Sequence, residues 1–203
     1  MMVLLCLLAA YVIGGFPSGL VIGKYLYHTD IREFGSHNTG ATNAYRVLGP
    51  VGGLAVLLLD VCKGLAGVWL GQTAGASLPD YQVSFMLAGG LLAIIGHSFS
   101  VFLKFKGGKG VATGLGVILY LAPVETAIVF VVWAVIVGIT RIVSLGSIIG
   151  AILVPVLMIF FGEHIGIIVF GVGAALLVVI RHKDNIIRLL QGKELKVERI
   201  KKS

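Results

Sequence analysis

Apolar runs of membrane-spanning length recur along this chain, separated by short polar stretches. A bilayer core of ~30 Å needs about 20 helical residues, and the runs at 3–25, 50–72, 83–103 and 164–180 meet that need. The stretch 110–163 is apolar almost throughout. Its only charged residues are Glu125, Arg141 and Glu163, and Pro123 and the group around Arg141 supply turn points. It divides into 110–122, 124–140 and 145–162, the first of which is short and must begin inside a glycine loop or span only in part. The first run has no basic region ahead of it and outlasts a secretory apolar core, so it is read as a retained span. The pattern predicts an all-α integral membrane protein of about seven transmembrane helices, a single polytopic domain over 1–203.

Composition agrees. The chain is 58% hydrophobic and 12% charged, with a mean hydropathy of +1.03, against about 25% charged in soluble domains. Cys6 and Cys62 lie in apolar runs and read as packing residues, not a disulfide framework. Charge then orients the spans. All but one of the 16 Lys and Arg residues fall at span ends assigned to one side, Lys63 being the exception. The positive-inside rule puts that side in the cytoplasm. The N-terminus is then outside, the tail 181–203 is cytoplasmic, and the cytoplasmic loops lie at about 26–49, 104–110 and 141–147. The net charge of +7 is accounted for by this rule and by anionic headgroups, and no nucleic-acid face is expected. Five crossings would also satisfy the asymmetry, at the cost of long apolar loops.

Three polar islands fall on the basic side. The first, FGSHNTGATNAYRVLG (34–49), gathers Ser36, His37, Asn38, Thr39, Thr42, Asn43 and Arg46 around Gly35 and Gly40. Converging N–H donors, hydroxyls and an arginine suit an anion; the competing reading is a loop that caps the next helix. The second, FKGGKGVATG (105–114), offers Gly107, Gly108 and Gly110 for close backbone approach. Lys109 adds charge, and a following helix would aim its N-terminus at the same point. It could equally be a flexible turn with lysines marking the cytoplasmic side. It is not a Walker A loop, since Leu103 and Gly110 stand where Gly and Ser or Thr are required.

The third island, RHKDNIIRLLQGKELKVERIKKS (181–203), places His182 and Asn185 three apart, on one helical face. Its Arg188, Lys193, Lys196, Arg199, Lys201 and Lys202 read as a solvated, lipid-facing tail. Arg141, Ser144 and Ser147 make a smaller polar break. Asp60 and Lys63, at i and i+3 inside a span, read as a buried pair locking helices. His97 reads as a local hydrogen-bonding residue.

Other chemistries are set aside on the residues. There is no HExxH, CxxC or carboxylate cluster for a metal, no GxSxG elbow, and no histidine with Asp five residues on. No cofactor or metal is expected. A cationic, N–H-rich patch beside apolar helices suits a substrate with a phosphate end and an acyl end. An organophosphate transporter and an anionic-lipid scaffold are the competing readings. A transporter would place its site near the midplane between repeated halves, and no convincing repeat is visible.

GSHNTGATNAYR (35–46), GHSFSVFLKFKGGKGVAT (96–113) and RHKDNIIRLLQGKE (181–194) resemble the three signature blocks of bacterial glycerol-3-phosphate acyltransferases of the PlsY type, with a D-x-x-K-G at 60–64. The resemblance implies acyl transfer from acyl phosphate to the 1-hydroxyl of sn-glycerol 3-phosphate, giving lysophosphatidic acid and phosphate, the first step of phospholipid synthesis. It implies the bacterial cytoplasmic membrane, a site facing the cytoplasm and no obligate protein partner. It carries over Ser36, Arg46, Lys109, His182 and Asn185 as catalytic. The binding set is Asn38, Gly40, Thr42, Asn43, Gly107, Gly108, Gly110, Ser144 and Ser147, with the second block holding glycerol 3-phosphate and Glu194 structural. His37, Thr39 and Ser100 stand where the family commonly has Gly, Pro and Pro.

Overall fold

The structure is a computed structural model and describes residues 1–199. The tail lysines Lys201 and Lys202 lie outside the described residues. Among those described there are ten α-helices: α1 (Met2–Gly15), α2 (Ser18–Tyr27), α3 (Ala41–Leu48), α4 (Pro50–Ala74), α5 (Gln82–Ser98), α6 (Val111–Leu121), α7 (Pro123–Thr140), α8 (Val143–Phe160), α9 (Ile165–Arg181) and α10 (Lys183–Leu190).

The expected spans are all helical; two differ in form, and the segment expected to be short is so. The first run is not one rod. It breaks between Gly15 and Ser18 and bends by 47°, because Pro17 brings no N–H and disfavours helix at Phe16. The break leaves carbonyls inside the bundle, and side chains from other elements meet them. Ser100 Oγ donates to the Gly15 carbonyl at 2.5 Å and Lys63 Nζ to the Phe16 carbonyl at 2.5 Å. The last span ends at Arg181 and turns 60° into α10. Helix α6 has 11 residues, ~16 Å at 1.5 Å per residue, about half a bilayer core. Four helices, or six if each bent pair is one span, are long and apolar enough to cross a membrane; α6 is the short seventh segment.

Small residues set the helix packing. A Cβ on Gly64 of α4 would strike the Thr113 backbone of α6, and one on Gly116 of α6 would strike Val61 of α4. Backbones that approach this closely pack without long side chains between them, as membrane helices do. This seats α6 against the middle of the bundle. Asp60 and Lys63 of α4 form the buried pair expected of them, 2.6 Å apart, and Ser18 Oγ donates to Asp60 at 2.5 Å. The pair therefore ties α4 to the α1–α2 break.

The four basic segments meet at one end. Arg46 reaches the 195–196 backbone, Lys109 reaches Asn185, Arg181 reaches the 107–108 backbone, and the Val197 N–H donates to the Arg141 carbonyl at 2.8 Å. The segment 26–49 is not simply a loop. It contains α3, whose Ala44, Val47 and Leu48 are buried in a cluster with Val56 of α4 and Ile22 of α2.

Candidate active site

At that end the bundle encloses a cavity of about 310 Å³. Three separate stretches of chain supply most of its polar end, with Asp60 of α4, His97 of α5 and Ser144 and Ser147 of α8 completing it. Its apolar end runs between α6, α7, α8 and α9, past Ile118, Phe130, Trp133, Val154 and Val178.

From the first stretch, Ser36, Asn38, Gly40, Thr42, Asn43 and Arg46 line the cavity. Thr42 and Arg46 are four apart on α3 and share its face. Asn43 has a different task from the binding role expected of it. Its amide nitrogen donates to the carbonyls of Ile31 (2.7 Å), Asn38 (2.9 Å) and Phe34 (3.2 Å), and its oxygen accepts the Ser36 N–H at 2.9 Å. The side chain thus holds the loop closed and aims Ser36. Asn38 accepts the Gly40 N–H at 3.0 Å. His37 has a φ of 53°, a left-handed conformation that explains the usual Gly there. Here its Nδ1 pairs with the Arg32 carbonyl at 2.8 Å.

From the second stretch, Lys109 and Gly110 line the cavity, but Gly107 and Gly108 do not. Their N–H groups are already bonded to the Ser98 and His97 carbonyls at 3.1 and 3.0 Å, so they present no bare donors to a phosphate. A Cβ on either would collide with His97, so they serve close packing. Gly110 has a φ of 80° and turns the chain into α6. The first intrahelical bond of α6 runs from Gly114 N–H to the Gly110 carbonyl at 2.7 Å, which leaves the preceding N–H groups at the open helix end.

From the third stretch, His182 and Asn185 line the cavity, 2% and 4% exposed. His182 Nδ1 lies 2.7 Å from the Val178 carbonyl and must carry the proton to bond it. Nε2 is then the acceptor nitrogen. Asn185 Oδ1 accepts from Lys109 Nζ, and its Nδ2 donates to Glu194 at 2.5 Å.

The tail's basic side chains at Lys193, Lys196 and Arg199 are solvated as expected, but its backbone and Glu194 are tied to the site. Arg46 Nε and Nη2 donate to the Lys196 and Leu195 carbonyls at 3.1 and 2.9 Å. Glu194 accepts from Ser144 at 2.9 Å and from Arg188 at 2.8 Å as well as from Asn185. The expected structural role of Glu194 fits these contacts, and Ser144 is oriented by it. Ser147 lines the cavity one turn along α8. Lys193 and Lys196 are exposed. Residues 194–197 thus form a strap across the site, for which residue type alone carried no signal, since Arg46 meets backbone oxygens. Phe130 and Trp133 were missed because an apolar cavity wall reads like any lipid-facing helix.

The electrostatics favour an anion. Arg46, Lys109 and Arg188 set three positive charges against the two carboxylates of Glu194 and Asp184, a surplus of +1, while Asp60 in the cavity wall is neutralised by Lys63. Burial pushes the Lys109 pKa down to about 8; Arg188 and Arg46 push the same way, while Glu194 and Asp184 oppose them. The ammonium is present below that pH and lost above it. A phosphate monoester is a dianion across pH 7–9, its second ionisation lying near ~6. kcat/KM for a phosphorylated substrate is therefore expected to fall tenfold per pH unit above about pH 8. In Lys109→Arg the fall should move to higher pH; steady-state rates across pH 6.5–9.5 read both.

A helical membrane protein with a cationic polar pocket opening into an apolar cavity is built for a phosphorylated amphiphile. The family model described as glycerol-3-phosphate acyltransferase matches residues 4–192, and the chain belongs to that family. It is 44% identical to "Glycerol-3-phosphate acyltransferase 2" of Moorella thermoacetica, over 96% of this chain and 97% of that one. It is 41% identical to the Staphylococcus aureus (strain bovine RF122 / ET3-1) glycerol-3-phosphate acyltransferase, over 98% and 99%. The crystal structure of PlsY (YgiH), an integral membrane glycerol 3-phosphate acyltransferase, in its glycerol 3-phosphate form, superposes with a TM-score of 0.87. That match has 35% identity and covers 97% of this chain and 96% of that one. The lysophosphatidic acid form gives 0.85 at 34% identity, over 97% and 95%. The chain is thus an acyltransferase of the PlsY type.

Proposed function

We propose that this protein transfers a fatty acyl group from acyl phosphate to the 1-hydroxyl of sn-glycerol 3-phosphate, releasing lysophosphatidic acid and inorganic phosphate. The observation that carries the reading is the convergence of Ser36, Arg46, Lys109, His182 and Asn185, from three distant stretches, on a cavity whose other end is apolar. The basic end faces the cytoplasm of a bacterial cell by the positive-inside rule, so both phosphates are met where they are soluble while the acyl chain stays among helices.

Acyl phosphate is already activated, so positioning and charge stabilisation supply most of the catalysis. Lys109 and Arg46 hold phosphate. Ser36, with Asn38 and the 40–43 backbone beside it, faces the carbonyl oxygen and the departing phosphate. His182 Nε2 accepts from the neighbouring 2-hydroxyl and, with Asn185, orients the glycerol, which leaves the proton of the attacking 1-hydroxyl free to be directed at phosphate. The hydroxyl oxygen bonds to the acyl carbon, the acyl–phosphate C–O bond breaks, and the hydroxyl proton passes to an oxygen of the glycerol phosphate. On this scheme His182→Ala loses about tenfold in kcat with the pH profile unchanged. A general base would be worth ~10²–10⁴-fold, and a loss of that size with an altered profile would assign the proton to His182.

The test of the reading is stoichiometry. Purified protein given acyl phosphate and labelled glycerol 3-phosphate should release phosphate and lysophosphatidic acid one for one. Uptake of label into vesicles without product would instead mark a transporter.

A further inference from the structure

We propose that Arg181 is a positioning residue: it fixes the 104–110 loop, and so Lys109, against the half of the site carried by His182 and Asn185. The inference rests on the acyltransferase reading for its kinetic consequence, though not for its geometry. Arg181 is the last residue of α9, next to His182 at the 60° bend into α10. Its Nη2 donates to the Gly107 and Gly108 carbonyls at 3.0 and 2.9 Å, and its Nε to Gly108 at 3.2 Å. Its guanidinium carbon lies 5.3 Å from the Phe99 ring centroid, at the end of α5, a stacking distance for a cation on an aromatic face.

The loop is therefore pinned from both sides. Gly107 and Gly108 give their N–H groups to α5 and their carbonyls to α9. The next residue, Lys109, donates from its Nζ to Asn185 of α10. One side chain thus sets the spacing between the phosphate-holding amine and the hydroxyl-orienting pair. The task needs a planar fork with several donors, which a lysine ammonium does not provide.

Arg181→Lys keeps the charge and loses the fork. It is expected to raise KM for glycerol 3-phosphate about tenfold with a smaller change in kcat. A second reading comes from Lys109 itself. Brief labelling with an amine reagent at stepped pH, followed by peptide mass spectrometry, should give a midpoint near 8 in the parent protein. In Arg181→Lys it should move toward the ordinary lysine value of ~10 as the loop loosens. The charged groups facing Lys109 are Arg46 on α3, Asp184 and Arg188 on α10, and Glu194 in the strap; all remain in the variant. A parent KM and parent midpoint in Arg181→Lys would overturn the proposal, as would a lower melting temperature with both unmoved. Labelling needs no turnover. Absence of product in the parent would sink the acyltransferase reading alone and leave the labelling result to decide the role of Arg181.

Discussion

Lys109→Ala is expected to lower kcat/KM for glycerol 3-phosphate by about 10²-fold, chiefly through KM. A hydrogen bond to a charged group contributes ~1.5–3 kcal/mol, and each 1.36 kcal/mol is tenfold in rate. The effect sits at the upper end here because the ammonium is half-buried and water replaces it poorly. Its loss also leaves Asn185 Oδ1 without the donor that fixes it, so the hydroxyl-orienting pair loosens and kcat falls to a lesser degree. Initial rates at varied glycerol 3-phosphate separate the two. An unchanged KM would remove Lys109 from the phosphate site.

Arg46→Ala should cost as much by a partly different route. The side chain is 7% exposed and lies between the cavity and the strap. Removing it takes one of three cations from the polar end and strips two donors from the Leu195 and Lys196 carbonyls. The strap also carries Glu194, which orients Ser144 and Asn185, so their geometry relaxes too. The expected outcome is a loss of about 10²-fold in kcat/KM, accompanied by faster proteolytic cleavage within 191–199. Arg46→Lys restores charge but not the fork and should recover only part of either readout. Normal cleavage alongside lost activity would confine Arg46 to substrate binding.

The contrast between these two residues shows where the sequence was informative. Long apolar segments were plain: α4, α7 and α8 lie within a few residues of the runs predicted for them, because lipid demands about twenty apolar residues whatever their neighbours. The break at Phe16–Pro17 was not visible in hydropathy, since the residues on both sides remain apolar. It becomes intelligible only when Ser100 and Lys63 are seen to meet the carbonyls it exposes. Arg46 and Lys109 stood out because a charge beside a membrane needs a reason. Their backbone partners did not, since a carbonyl oxygen has no residue type. The glycine loop was legible as a place of close approach, but what approaches Gly107 and Gly108 is His97 and Arg181. Asn43 shows the same limit: a polar residue in a polar island is as well suited to holding the island together as to binding from it.

Purified protein in detergent, given labelled glycerol 3-phosphate with acyl phosphate in one sample and acyl-CoA in another, tests the central claim most directly. The expected result is lysophosphatidic acid from acyl phosphate alone, because the leaving phosphate needs only the cationic end of the cavity. Product from acyl-CoA instead would contradict the assigned donor, and product from neither, with the protein folded, would contradict the assigned reaction.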